Sequence, residues 1–292
     1  MIIRSKKHLT QILGISWEKL VEVTDNIDRY YYKDAKQKTY KDGSPKRHGV
    51  SGKIKWRVLH PSINDLKTIQ KRIHHRILKK LDYPTYMMGG IKKRDSVLNA
   101  RPHMGKKDKL LTDMSNYYPS VKNKWVYHGL IAYGFSPDIA SILTKLTTFK
   151  GYVPQGAPTS SDVANIAFKN LIGDQLNEFC VENGITMTLY VDDITFSSQK
   201  DFEHLTPLLL KMITDAGLYY SQRKTGYTRS KNVIITGVKT GNNQLNAPDD
   251  FVENKLKKPE NFNENQRKGH KNRFERIRRI SKQKFNALGL FF

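Results

Sequence analysis

An α+β fold with antiparallel strands is what this sequence predicts, and three observations carry it. Residues 62–81, SINDLKTIQKRIHHRILKKL, place Leu66, Ile69, Ile73, Ile77 and Leu81 on one stripe, the spacing of a helix with a buried face and a basic back. Residues 185–192, ITMTLYVD, alternate instead. Ile185, Met187, Leu189 and Val191 fall on one face, and Thr186, Thr188, Tyr190 and Asp192 on the other, which is the period of a strand. ITFSS, residues 194–198, then returns as a second strand, so the two form a hairpin with the Asp192–Asp193 pair at its connection.

Composition narrows the class. The chain has 292 residues, enough for one large domain or two to three lobes. Lys and Arg number 51 against 27 Asp and Glu, a formal charge of +24. A balance of this size favours a polyanion, either nucleic acid or an anionic membrane surface. No run approaches the roughly 18–20 apolar residues a spanning helix needs, and the opening MIIRSKKHLTQ has no secretory apolar core. Nucleic acid is therefore the expected partner, no membrane association is expected, and cytoplasmic residence is the expected location. The single cysteine, Cys180, excludes an intrachain disulfide and a Cys-based zinc site. It reads as a small buried hydrophobe on a helix.

Taken in order, residues 8–23 carry Leu9, Ile12, Leu13, Trp17, Leu20 and Val21 at near-helical spacing, interrupted around Gly14. Residues 28–60 combine aromatics, a DGSP turn signal and KIKWRVL, and read as strands joined by a basic loop. His74 and His75 are adjacent on their helix, about 100° apart, so they cannot share one metal as an i, i+4 pair would. Residues 153–161, VPQGAPTSS, form a Gly/Pro loop running into a helix N-terminus, a natural anion support. That helix spans 160–182 and stops at Gly184. From about 238 the composition shifts to Asn, Lys and Arg. Residues 267–284 hold nine Lys or Arg and one Glu, with Phe274, Ile277, Phe285 and Leu288 as an apolar stripe broken at Ser281. This reads as a basic helix packed on one side.

Asp192 and Asp193 pose the chemical question. Adjacent carboxylates repel and resist desolvation. A divalent cation removes that cost by reversing the local field. A second acidic position, Asp113, ends the apolar run in KLLTDMSNYYPSV, residues 109–121, and Tyr118 follows five residues on.

In this order and spacing the segments resemble the reverse transcriptases. TDMSNYYPSV is similar to their first palm motif, PQGAPTSS to the second and YVDD to the third. KIKWRVLHPSINDLKTIQKRI resembles the fingers motif and AGLYYSQRKTGY the fourth palm motif. LNARPH, 98–103, and IITG, 234–237, resemble two segments of bacterial retron reverse transcriptases, an Asn-Ala-x-x-His signature and a Val-Thr-Gly triplet. The resemblance covers roughly residues 50–240. The chain departs from it in ending the second motif PTSS, in Ile235 for Val, and in Ser221 where Asn is common.

The resemblance implies a right-hand polymerase fold, with fingers, an antiparallel-sheet palm and a small helical thumb. It implies an N-terminal helix and fingers over 1–108, a palm over 109–237 with a fingers-side insertion around 120–155, and a short basic thumb over 238–292. It implies that Asp113, Asp192 and Asp193 are the catalytic residues and the ligands of two Mg²⁺ ions. Lys55, Arg57, Tyr118, Gln155, Gly156 and Lys224 are the implied nucleotide-binding residues, with Tyr118 as the steric gate against ribonucleotides. Asn99, His103, Thr236 and Gly237 are the implied retron-motif residues, structural or RNA-contacting. The implied function is RNA-directed DNA synthesis on a dedicated structured noncoding RNA, from an RNA 2′-hydroxyl, in anti-phage defence. Implied partners are that RNA, deoxynucleotide triphosphates, the RNA–DNA hybrid product, a separate effector protein and host RNase H. The alternatives are a catalytically silent RNA-binding scaffold on the same fold and another class of bacterial reverse transcriptase.

Overall fold

The computed structural model describes residues 3–40, 43–49, 51–257 and 259–282. Phe285 and Leu288 of the expected C-terminal stripe lie outside the described residues.

The chain opens with α1 (Lys6–Leu13) and α2 (Trp17–Asp25). The interruption expected around Gly14 is a left-handed cap, φ 62°, that ends α1. The basic ribbon is β1 (Asp34–Gln37) paired antiparallel with β2 (Trp56–Leu59). Next comes α3 (Asn64–Arg76), whose Leu66, Ile69 and Ile73 are buried as the spacing requires. Short α4 (Ser96–Ala100), β3 (Asp108–Asp113) and α5 (Tyr117–Ser120) precede α6 (Asn123–Ala132) and α7 (Pro137–Thr147). The helix expected over 160–182 is α8 (Ser160–Phe168) and α9 (Asp174–Glu182), with a π-helical turn at Lys169–Gly173. Cys180 is buried on α9, and that burial pushes its thiol up to about 12. The chain continues through β4 (Thr186–Tyr190), β5 (Asp193–Ser198), α10 (Thr206–Asp215) and β6 (Gly226–Arg229). It ends in β7 (Ile234–Ile235), β8 (Val238–Thr240), β9 (Leu245–Asn246), α11 (Asp249–Phe251) and α12 (Glu264–Lys282). No helix among the described residues is long and apolar enough to cross a membrane.

Two compact units result: Met1–Asp82 with Asn116–Leu171, and Tyr83–Ser115 with Ile172–Phe292. The expected insertion around 120–155 falls in the unit of the ribbon, whereas residues 83–108 belong to the unit that carries β3. In the first unit Gln70 is fully buried and fully used. It accepts from Ser62 Oγ at 2.6 Å and donates to Tyr31 Oη and Leu146 O, so its amide is not stranded. His74, expected at the surface or in packing, meets the buried Asp162 of α8 at 2.6 Å.

The second unit is built on a four-stranded antiparallel sheet, order β4-β5-β3-β6. Its apolar face, Leu110, Met187, Leu189, Ile194 and Phe196, is buried. Register puts Asp113 opposite Asp193, Leu111 opposite Thr195 and Lys109 opposite Ser197 on the other face. Residues 103–109 close the far end of that face. His103 is fully buried, with Nδ1 2.6 Å from Ser197 Oγ and Nε2 2.8 Å from Thr188 Oγ1. Burial, then the charges of Lys106 and Lys109, hold its ring well below the ordinary histidine range, so it is the neutral ring that bridges two hydroxyls. A second core joins Val97, Leu98, Ile235, Val238 and Leu245 to Ile277 and Ile280 of α12, which is how the basic helix acquires its packed side.

Lys106 Nζ donates to Thr186 Oγ1, and burial holds the amine down at about 8. A depressed lysine destabilises the fold while charged. Between about pH 8 and the ordinary lysine value, the unfolded chain holds a proton that the folded chain has shed, so stability rises with pH there. Lys106→Met is expected to raise Tm at pH 7 by about 2–4 °C, corresponding to about 1 kcal/mol. The gain should shrink by pH 10; melting both proteins at pH 7 and 10 checks this.

Candidate active site

The hairpin seen in the sequence is tighter than its alternation implies. Tyr190 pairs with Asp193, leaving only Val191 and Asp192 in the connection. The strand pattern stops at Tyr190 because Val191 is left-handed, φ 61°. A β-branched residue resists that conformation, and such strain collects at functional sites. Two restraints hold it. Met114 N donates to Asp192 O at 2.8 Å, tying the end of β3 to the turn. Behind the turn, Met88 N and Gly89 N both donate to Leu189 O. A Cβ on Gly89 would lie 2.7 Å from Val191 Cγ2 and 2.8 Å from the Tyr190 carbonyl carbon. Glycine is thus required there for close approach. Sequence reasoning missed Gly89; its only signal was the Gly89–Gly90 pair.

Asp113 and Asp193, on neighbouring strands, share a side-chain hydrogen bond. Burial first, then the charges of Asp192 and Asp113, push Asp193 up to about 6. Lys224 Nζ lies 2.6 Å from Asp113 Oδ2. It arrives there because Ser221 N donates to Asp113 O at 2.8 Å, which anchors the 222–224 turn beside β3. Asp113, Asp193, Lys224, Thr236 and Gly237 line one cavity of about 310 Å³. Asn99 reaches its wall through a 3.3 Å bond from Nδ2 to Thr236 Oγ1.

Among the described residues no three His, Cys, Asp or Glu side chains are arranged to hold a metal by themselves. The donor set nevertheless suits a hard divalent cation. The site crowds negative charge until one carboxyl is half-protonated near pH 6, and Mg²⁺ characteristically takes one or two carboxylates and completes its shell with water and substrate phosphates.

The remaining nucleotide-binding candidates sit in the first unit. Lys55 and Arg57 lie on the ribbon, with Arg57 exposed and paired across to Lys36. Gln155 O accepts from His60 N at 2.8 Å, and Gly156, φ 108°, packs beside Pro61 and Leu59. The Gly/Pro loop is therefore stapled to the end of β2, not far along the chain from Arg57. Tyr118 Oη is 3.0 Å from Ser161 Oγ in the first turn of α8. His103, in the second unit, has no accessible surface and joins β4 to β5 through the hydroxyls of Thr188 and Ser197.

A family model described as reverse transcriptase (RNA-dependent DNA polymerase) matches residues 44–284. The chain belongs to the reverse transcriptase family. Within it, the chain is similar to bacterial retron enzymes. It is 32% identical over 248 residues to the Retron Se72 reverse transcriptase of Salmonella heidelberg (strain 579083-10), covering 81% of this chain and 62% of that one. It is 30% identical over 171 residues to the Retron Ec86 reverse transcriptase of Escherichia coli, covering 58% and 53%. With the Retron Ec48 reverse transcriptase of Escherichia coli the figures are 27%, 86% and 62%. The matches thus span between 53% and 62% of those relatives' own length. Among solved structures, telomerase from Candida albicans in complex with a TWJ fragment of telomeric RNA matches at TM-score 0.49 and 14% identity, covering 79% of this chain and 51% of that one. The α+β polymerase fold follows from the family match and the antiparallel sheet. Members of this family generally depend on a divalent metal.

Proposed function

We propose that the chain is an RNA-directed DNA polymerase of retron type. One observation carries the reading: Asp113 and Asp193 face each other across β3 and β5, one residue from Asp192, in a cavity shared with Lys224. When bound, two Mg²⁺ ions at these carboxylates supply the positive charge that favours the deprotonated attacking hydroxyl and offsets the triphosphate. Asp113 and Asp192 act as the principal ligands and Asp193 supports them. Lys224 leaves Asp113 as the site fills and neutralises the departing pyrophosphate. Arg57, with Lys55, clamps the triphosphate through charge-assisted bonds, and Gln155 and Gly156 line the nucleotide pocket. Tyr118 blocks a ribose 2′-hydroxyl.

The template is a dedicated structured noncoding RNA, and extension starts from one of its 2′-hydroxyls to give a branched RNA–DNA product. The setting is the cytoplasm, with host RNase H trimming the hybrid and a separate effector completing an anti-phage system. What supports these finer points is the similarity to retron enzymes together with the +24 charge.

The test is incorporation of labelled deoxynucleotides by purified protein on an annealed RNA template with Mg²⁺. No template-dependent incorporation would sink the reading. Tyr118→Ala should raise ribonucleotide incorporation relative to deoxynucleotide by about tenfold or more, on the order of 1.4 kcal/mol of discrimination. An unchanged ratio would remove Tyr118 from the gate.

A further inference from the structure

Tyr117 and Tyr118 open α5, a helix of four residues entered through Asn116 at φ 48°. So short a helix gives its own side chains little footing. Both phenols reach across to α8 instead. The buried Tyr117 donates from Oη to Ala164 O at 3.1 Å. Tyr118, its ring centroid 5.7 Å from that of Tyr117, meets Ser161 Oγ at 3.0 Å. Ser161 and Ala164 are three residues apart and so share one face of α8. The two bonds differ in kind. Ala164 offers a main-chain oxygen, which any residue there would supply. Ser161 offers a hydroxyl, which few side chains carry.

The first turn of α8 is held firmly enough to act as an anchor. Ser160 Oγ donates to Pro154 O at 2.6 Å, tying the turn to the Gly/Pro loop. Asp162, buried, meets His74 Nδ1 of α3 at 2.6 Å. Three successive residues thus point three ways: to the loop, to Tyr118 and to α3. Ser160 and Asp162 fix the frame, and Ser161 is left for the phenol. Ser161 is also where the chain departs from the second palm motif, at the last residue of PTSS. All of these residues belong to the first unit.

We infer that Ser161 is a positioning residue for the Tyr118 gate, its hydroxyl setting how strictly the site takes deoxyribonucleotides over ribonucleotides. The inference deepens the polymerase reading above and rests on it. A steric gate tells two sugars apart by one oxygen atom, so it works only while the ring edge stays in place. A phenol tethered at its tip cannot swing without losing a bond. Untethered, the ring samples other rotamers and opens the space it blocks. Ribose then gains entry, whereas deoxyribose, which needs no extra room, gains nothing. Ser161 touches no nucleotide in this scheme; it acts through Tyr118.

Incorporation of single deoxy- and ribonucleotides by purified protein, on an annealed RNA template with Mg²⁺, tests this as a ratio of kcat/KM values. Ser161→Ala should lower the preference for deoxynucleotides about fivefold, the scale of one lost hydrogen bond and less than the loss in Tyr118→Ala. Tyr118→Phe keeps the ring and removes the other half of the same bond, so it should lower the preference by a similar factor. The two changes combined should do no more than either alone, because they break one interaction. Ser161→Thr keeps a hydroxyl and should hold the ratio within about twofold of the natural protein. A residue that merely supports the fold would lower Tm and leave the ratio alone. An unchanged ratio in Ser161→Ala, an equal loss in Ser161→Thr, or factors that multiply in the combined variant overturn this inference by itself, the gate surviving if Tyr118→Ala relaxes selection. An unchanged ratio in Tyr118→Ala removes the gate and this inference together. Absence of incorporation by the unsubstituted protein removes the polymerase reading with them.

Discussion

Asp113→Asn is expected to lower deoxynucleotide incorporation by about a thousandfold or more while leaving RNA affinity within threefold. Asparagine keeps the size and one acceptor oxygen but removes the charge. The cavity then loses one of the two carboxylates that face each other across β3 and β5. A thousandfold corresponds to about 4 kcal/mol of barrier, within what a divalent ion contributes to phosphoryl chemistry. The change has two further readouts besides turnover. Lys224 loses the partner 2.6 Å away, and Asp193 loses one of the two charges that raise it, so the carboxyl titration near pH 6 should move down. Addition of Mg²⁺ should raise Tm of the natural protein and have little effect on the variant. Incorporation by Asp113→Asn within tenfold of the natural protein would refute the assignment. RNA affinity should persist because it rests on the dispersed Lys and Arg, 51 in all.

Gly89→Ala should be the most damaging single methyl group in the second unit. The added Cβ meets Tyr190 and Val191 backbone, which cannot rotate away as a side-chain tip could. Val191 already holds a left-handed conformation, and the turn it forms carries Asp192. Either the turn shifts or residues 87–89 pull off β4, breaking the bonds from Met88 N and Gly89 N to Leu189 O. Overpacking of this kind costs about 1–3 kcal/mol, a fall in Tm of several degrees. A displacement near 1 Å at the carboxylates costs about a hundredfold in rate. Gly269→Ala in α12, where a Cβ meets nothing within 4 Å, is the control and should be neutral or slightly stabilising. Gly89→Ala with natural kcat and Tm would mean that the turn is not held from behind.

Much of this was legible in the residue order. The stripe of α3, the break around Gly14, the β4–β5 hairpin and the packed side of α12 follow from local periodicity and turn chemistry, which need no knowledge of the rest of the chain. The three aspartates were legible for a different reason: their neighbours match motifs in a known order. The alternation through 185–192 was readable only as far as Tyr190, because a strand pattern says nothing about where a strained turn will interrupt it.

Sequence by itself determined that the chain is basic, α+β and equipped with an acidic pair that calls for a cation. Those properties are sums over residues or patterns between near neighbours. Tertiary structure alone decided that Asp113 faces Asp193, that Gly89 backs the turn, that His103 is sealed between two strands, and that Asn99 reaches Thr236. Each of these depends on strand register or on contacts between residues about 80 to 140 positions apart. A shift of one residue in register would turn every side chain of β3 to the opposite face.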